Sequence, residues 1–121
     1  MPHIILEHTE NFEPGIIKLL FTQLRIILIK NAGIKEENCK CRAILIPIYA
    51  VERDDEDSKH FYHLEISLLK GRSYTIRQKI CKQSLECLQE YFVNKNGENV
   101  KQFSVEIRGI NPNNYFTSNT L

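Results

Sequence analysis

A proline stands at position 2, directly behind Met1 and ahead of the apolar run Ile4-Ile5-Leu6. Inside a chain, a proline nitrogen is an amide with no proton to donate and no basicity. Removal of Met1 turns the same nitrogen into a free secondary amine, and an α-amino group titrates at about 8. Such a group is a general base at near-neutral pH. A retained Met1 acylates it and abolishes the basicity, so this chemistry depends on processing. The competing explanation is structural, because a proline at the first residue of a strand forfeits no ladder hydrogen bond.

Other polar candidates are weaker. His3, His8, His60 and His63 have no spacing that suggests catalysis and read as interface or surface residues of strands. Ser84 falls in a helix with no acid or base partner that the sequence reveals, and Arg77 and Arg108 read as solvated. Cys39, Cys41, Cys81 and Cys87 are even in number, which in a small secreted protein suggests disulfides. Here the N-terminus lacks a basic leader. The longest apolar stretch, Ile16 to Ile29, is broken by Lys18, Gln23 and Arg25 and is too short to span a bilayer. A cytoplasmic protein with reduced thiols is expected, with no membrane partner. Cys39-Lys40-Cys41 lacks zinc-knuckle spacing and has no matching pair nearby, so no metal site is expected.

Sixteen Lys and Arg against fifteen Asp and Glu leave a formal charge of +1, which argues against a nucleic-acid partner. An anion site must therefore be built from a few individually placed cations. A chain of 121 residues with 42% apolar content fits one domain, residues 1–121. At this size only roughly two-thirds of the unfolded surface is buried, so self-association is a natural source of further burial.

The elements that must position Pro2 follow from periodicity. Pro2 to Thr9 reads as a strand. Glu13-Pro14 opens a helix running to Ala32 with Gly33 as its stop, and Ile16, Ile17, Leu20, Leu24, Ile27 and Leu28 recur at helical spacing. Lys40 to Val51 reads as a second strand, with Pro47 marking an edge or bulge, and Glu52 to Asp57 as a solvated acidic loop. His60 to Lys70 is a third strand; Ser73 then caps a helix from Tyr74 that Asn94 to Gly97 closes. Gln102 to Arg108 alternates as a fourth strand, and the polar tail beyond it carries Tyr115-Phe116, two aromatics that suggest docking.

The halves at about 2–51 and 60–108 repeat strand, helix, strand, which reads as an internal duplication. The predicted class is α+β: a duplicated β-α-β forming a four-stranded sheet with both helices on one face. The bare face then needs cover, and Tyr62, His63 and Ser67 are expected to line a subunit interface, with Leu64, Ile66 and Leu68 buried. RNA-recognition modules share the element order, but the third strand, His60 to Ile66, lacks their Gly-bearing aromatic signature.

Three segments discriminate further: Pro2-His3-Ile4-Ile5-Leu6-Glu7, Leu68-Leu69-Lys70-Gly71-Arg72-Ser73, and Phe103-Ser104-Val105-Glu106-Ile107-Arg108. Together they resemble the 5-carboxymethyl-2-hydroxymuconate isomerase family of the tautomerase superfamily, from Pro2 to about Phe116. The resemblance implies a tautomerase-like homotrimer, active in the breakdown of aromatic compounds, that needs no cofactor or metal. It implies that Pro2 shuttles a proton along a small-molecule keto acid and that Arg72 binds a substrate carboxylate and supports the dienolate charge. The family's Arg-x-Arg pattern falls on Lys40-Cys41-Arg42, so Arg42 and Lys40 are carried over as substrate-binding cations. Lys40 departs from the pattern, offering a point charge in place of a bidentate fork.

The chemistry suits these residues. Moving a proton beside a carbonyl needs a base with a pKa near the working pH and a stabiliser for the anion formed midway. Nearby cations and partial burial both favour the neutral amine. Antiparallel first and third strands are expected to bring Pro2 close to Arg72 within one subunit, and Lys40 and Arg42, two apart, share a side of their strand. The alternative is a non-catalytic trimeric tautomerase-fold scaffold or binding protein, which retention of Met1 or the change at Lys40 would produce.

Overall fold

The computed structural model describes residues 2–51, 59–93 and 100–118. Strand β1 (His3–His8) leads into helix α1 (Pro14–Ala32), a short 3-10 turn (Glu36–Asn38) and strand β2 (Lys40–Leu45). The second half repeats the order with β3 (Lys59–Leu69), α2 (Tyr74–Phe92) and β4 (Val100–Ile110), followed by a 3-10 turn at Pro112–Asn114. The sheet order is β2-β1-β3-β4. Within each half the strands are parallel, and β1 and β3 join the halves antiparallel, with His3 opposite Ser67 and His8 opposite Tyr62. The expected α+β architecture is the observed one.

Alternation decides which strand residues meet the helices. Ile4 and Leu6 on β1, and Tyr62, Leu64, Ile66 and Leu68 on β3, are buried, with Phe103, Val105 and Ile107 of β4 packed against them. From α1, Ile17, Leu20, Phe21, Leu24 and Leu28 complete this core, and from α2, Ile80, Leu88 and Phe92. Apolar residues three and four apart form one stripe on each helix, and that stripe lies on the sheet. The odd-numbered residues of β1 and β3 and the even-numbered ones of β2 and β4 then share the opposite, open face.

Local signals fix the helix ends. Gly33 adopts φ 65, a left-handed conformation that closes α1 with its N–H on the Ile29 carbonyl at 3.1 Å. The Ser73 hydroxyl accepts the Ile76 N–H at 3.3 Å and caps α2 as expected. Between β3 and α2, Gly71 turns at φ 131, which a side chain would strain.

Several expectations need correction. The second strand stops at Leu45 rather than Val51: the Ile46 N–H still reaches the His8 carbonyl at 2.8 Å, but Pro47 has no N–H to extend the ladder. Val51 keeps only a bridge and is buried. Tyr62 belongs to the core, fully buried and stacked on Phe92 and Phe103, because it shares the parity of Leu64 and not of His63. In the tail, Tyr115 docks on His3, whereas Phe116 is 73% exposed. The acidic stretch 52–57, the helix stop at 94–97 and the fate of Met1 lie outside the described residues.

Candidate active site

One end of the sheet collects most of the predicted residues. Pro2 precedes β1, is buried, and its carbonyl accepts the N–H of Lys40, the first residue of β2, at 3.1 Å. The antiparallel register carried one residue past His3 and Ser67 sets Pro2 against Leu68. Helix α1 ends here because it runs back along the sheet before β2 begins, and α2 starts here because β3 ends here.

Arg72 occupies this corner between the two helices. Its guanidinium donates through Nη1 to the Leu69 carbonyl at 3.1 Å and through Nη2 to the Ala32 carbonyl at 3.3 Å. The second bond satisfies an orphan carbonyl of the last turn of α1, where a cation is favoured. Among the described residues, two of its five N–H groups are used in this way.

Lys40 and Arg42 do share a side of β2, as expected, and that side is the open face. Both are exposed. Arg72 bonds the end of α1. Arg42 instead meets His3, its Nη1 lying 3.3 Å from His3 Nδ1, while His3 Nε2 is 2.9 Å from the Tyr115 hydroxyl. With Nδ1 accepting from the guanidinium, Nε2 carries the proton and donates to Tyr115. Burial, then the charges of Arg42 and Lys40, hold His3 below the usual histidine range. No chemistry was assigned to His3 from sequence, and only its place beside Pro2 hinted at this position.

A groove of about 320 Å³ opens beside the Arg72 corner, lined by Leu68, Lys70, Arg72, Arg77, Arg108 and Gly109 among others. Four cations around one groove make an anion-attracting concavity, next to the N-terminus of α2 with its free amides. Arg77 and Arg108 are exposed, as expected of solvated residues, yet both line it. Arg108 is partly committed: its Nε lies 2.6 Å from Glu65 and 3.3 Å from Glu106. Lys70 and Arg77 carry no spacing signal in the sequence, since only the turn at Gly71 brings them to one rim. Pro2 is not among the lining residues; it flanks the groove through Leu68.

A family model described as 5-carboxymethyl-2-hydroxymuconate isomerase matches residues 2–121. The chain belongs to that family. It is an isomerase of the tautomerase type. Among solved structures, a 5-carboxymethyl-2-hydroxymuconate isomerase from Deinococcus radiodurans R1 superposes with a TM-score of 0.84 at 24% identity, covering 97% of this chain and 88% of the other. A fused 4-OT wild-type symmetric trimer gives 0.77 at 12% identity over 98% and 94% of the two chains. A macrophage migration inhibitory factor-like protein from Entamoeba histolytica gives 0.69 at 13% identity over 97% and 95%. No curated protein matches the chain. These likenesses place this 5-carboxymethyl-2-hydroxymuconate isomerase family member on the tautomerase fold. Among the described residues no group of His, Cys, Asp or Glu is arranged to hold a metal ion, and no helix is long and apolar enough to cross a membrane.

Proposed function

We propose that this isomerase moves a proton along an unsaturated keto diacid, with the secondary amine of Pro2 as the base once Met1 is removed. The amine takes a proton from the carbon next to the carbonyl and returns it further along the conjugated system. Arg72 holds a carboxylate and offsets the charge of the dienolate formed between the two transfers. No cofactor enters the scheme, since the carbonyl itself is the electron sink.

The observation that carries the reading is the cationic groove at the corner of Arg72, which Pro2 flanks through Leu68. A dianionic substrate suits a rim of Lys70, Arg72 and Arg77 on electrostatic grounds, because these charges also favour the neutral form of a nearby amine. Burial of Pro2 acts in the same direction.

Arg42 and Lys40 enter through assembly. Both stand on the open sheet face together with Ile5 and the 47% exposed Ile44, a surface with apolar patches that a second copy can cover. The chain acts as a homotrimer in this proposal, and Arg42 and Lys40 serve a pocket completed by a neighbouring copy. The fused 4-OT neighbour is itself a trimer.

Intact mass of the protein from its own host, combined with turnover of a panel of enolisable keto diacids, tests the proposal. Loss of Met1 with activity that Pro2→Ala removes supports it. Retained Met1 with no turnover would return the chain to the scaffold reading, and equal turnover in the parent, Pro2→Ala and Arg72→Ala would remove both residues from the site.

A further inference from the structure

Away from that corner, Cys39 and Cys41 bring their sulfurs within 3.9 Å of one another where the 3-10 turn enters β2. The two residues flank Lys40, whose side chain takes the other sheet face, so both thiols lie on the helix side. Arg25 of α1 reaches across and donates Nη1 to Cys41 Sγ at 3.7 Å, while its Nη2 is held by the Thr22 hydroxyl at 3.2 Å. Cys41 also lines an open cleft of about 400 Å³ between α1 and β2, so a small molecule can approach it.

We propose that Cys39 and Cys41 form a reversible thiol–disulfide exchange site that takes low-molecular-weight disulfides, with Cys41 as the attacking sulfur and Cys39 as the resolving one. The Cys41 thiolate attacks one sulfur of the disulfide, forming a mixed disulfide and expelling one thiolate. That thiolate takes the Cys39 proton. The Cys39 thiolate then attacks Cys41 Sγ and expels the second thiolate, which takes from solvent the proton that Cys41 released on ionising, so two protein thiols are oxidised to one disulfide and the small disulfide is reduced to two thiols.

The surroundings favour this chemistry over metal capture. The hydrogen bond shared with Cys39, together with the contact and charge of Arg25 and the charge of Arg42, outweighs burial and brings the Cys41 thiol down to about 7, whereas that same hydrogen bond and burial push Cys39 up. On the thiols' own side stand Arg25 from α1, with Glu36 3.9 Å from its Nε, and His8 and Lys18 farther along the cleft, while Lys40 and Arg42 add their charges from neighbouring positions on the other face of β2. Three cations against one carboxylate stabilise a thiolate and repel a metal ion. Residues two apart in an extended chain lie about 6.6 Å apart, at the wide end of what disulfides span, so the bridge requires a local backbone shift where the 3-10 turn enters β2 and is strained and easily reduced.

Incubation of the native protein with oxidised glutathione, followed by intact mass and peptide mapping, tests this. The expected product has lost two hydrogens, carries a Cys39–Cys41 bridge, and reverts with dithiothreitol; Cys39→Ser should instead accumulate glutathione on Cys41. Iodoacetamide should label Cys41 of the unmodified chain at neutral pH about tenfold or more faster than Cys81 or Cys87, whose thiols burial pushes up. Equal labelling of the four thiols, or a glutathione adduct on the parent chain with no internal bridge, overturns the proposal.

Discussion

The guanidinium of Arg72 is bonded to the carbonyl of Ala32, forty residues earlier in the chain, at 3.3 Å. This contact ties the start of α2 to the end of α1, so one side chain both joins the two halves and faces the cationic groove.

Arg72→Ala should therefore lower both activity and stability. Loss of an electrostatic stabiliser of the midway anion should cost about 10²- to 10³-fold in kcat/KM, and removal of two hydrogen bonds to carbonyls about 1–3 kcal/mol in stability. Steady-state kinetics and thermal melts separate the two effects. Arg72→Lys should recover more stability than activity, because an ammonium can cap one carbonyl but cannot reproduce a fork. Full activity in Arg72→Ala would remove Arg72 from the site.

Pro2→Ala should act on turnover more than on affinity. A primary amine at the same place can still accept a proton, but its pKa and geometry differ, so a loss of roughly 10²-fold or more in kcat with KM little changed is expected. Solvent deuterium incorporation into the keto acid gives a second readout that does not depend on net isomerisation. An unchanged kcat would show that Pro2 has only the structural role of a strand start.

Arg42→Ala should raise KM more than it lowers kcat if that cation binds a carboxylate across a subunit boundary. It should also release His3. Burial, Arg42 and Lys40 together hold the imidazole below its ordinary range, so its pKa, followed by NMR, should rise in the variant toward about 6.5. An unchanged KM, or a His3 pKa that does not move, would separate Arg42 from these roles.

Much of the fold was legible because apolar spacing alone determines it. The α1 boundaries at Pro14 and Ala32 followed from a proline that fits a first turn and a glycine that fits a left-handed stop. The end of β2 was not legible: Ile46, Ile48 and Val51 continue the apolar pattern, and only the ladder shows that pairing ends at Pro47. At the candidate site, Pro2 stood out by residue type and position, whereas Arg72 came only with the family resemblance of the Gly71-Arg72-Ser73 segment. Lys70 and Arg77 did not stand out, because a groove rim is a tertiary property set by the turn at Gly71. The Arg25 contact with Cys41 spans α1 and β2 and likewise leaves no trace in either segment alone.

Ser84 provides a stability test without chemistry. It is fully buried on α2, and its hydroxyl has no hydrogen-bond partner among the described residues. An unpaired buried hydroxyl costs about 1–3 kcal/mol, and alanine is the better helix former by a few tenths of a kcal/mol. Ser84→Ala should raise the denaturation midpoint without affecting turnover. A lower midpoint would mean that the hydroxyl has a partner that this packing does not reveal.

Glu10 makes part of the stability pH-dependent. Burial alone pushes its carboxyl up, but hydrogen bonds from Tyr62 and Lys101 outweigh it and hold the group below the usual carboxylate range. Lys101 Nζ is 3.0 Å from Glu10 and also donates to the Phe92 carbonyl at 2.6 Å, so the carboxylate secures the end of α2 against β4. A depressed folded pKa means the contribution is complete above the unfolded value of about 4.3 and is lost as pH falls through the folded value. Glu10→Gln should therefore melt below the parent at pH 7, by about 1–3 kcal/mol for hydrogen bonds to a charged group. The two melting curves should converge under acid conditions, where the parent carboxyl is protonated and resembles the amide. A gap that stays constant from neutral to acid pH would show that packing, and not charge, explains the loss.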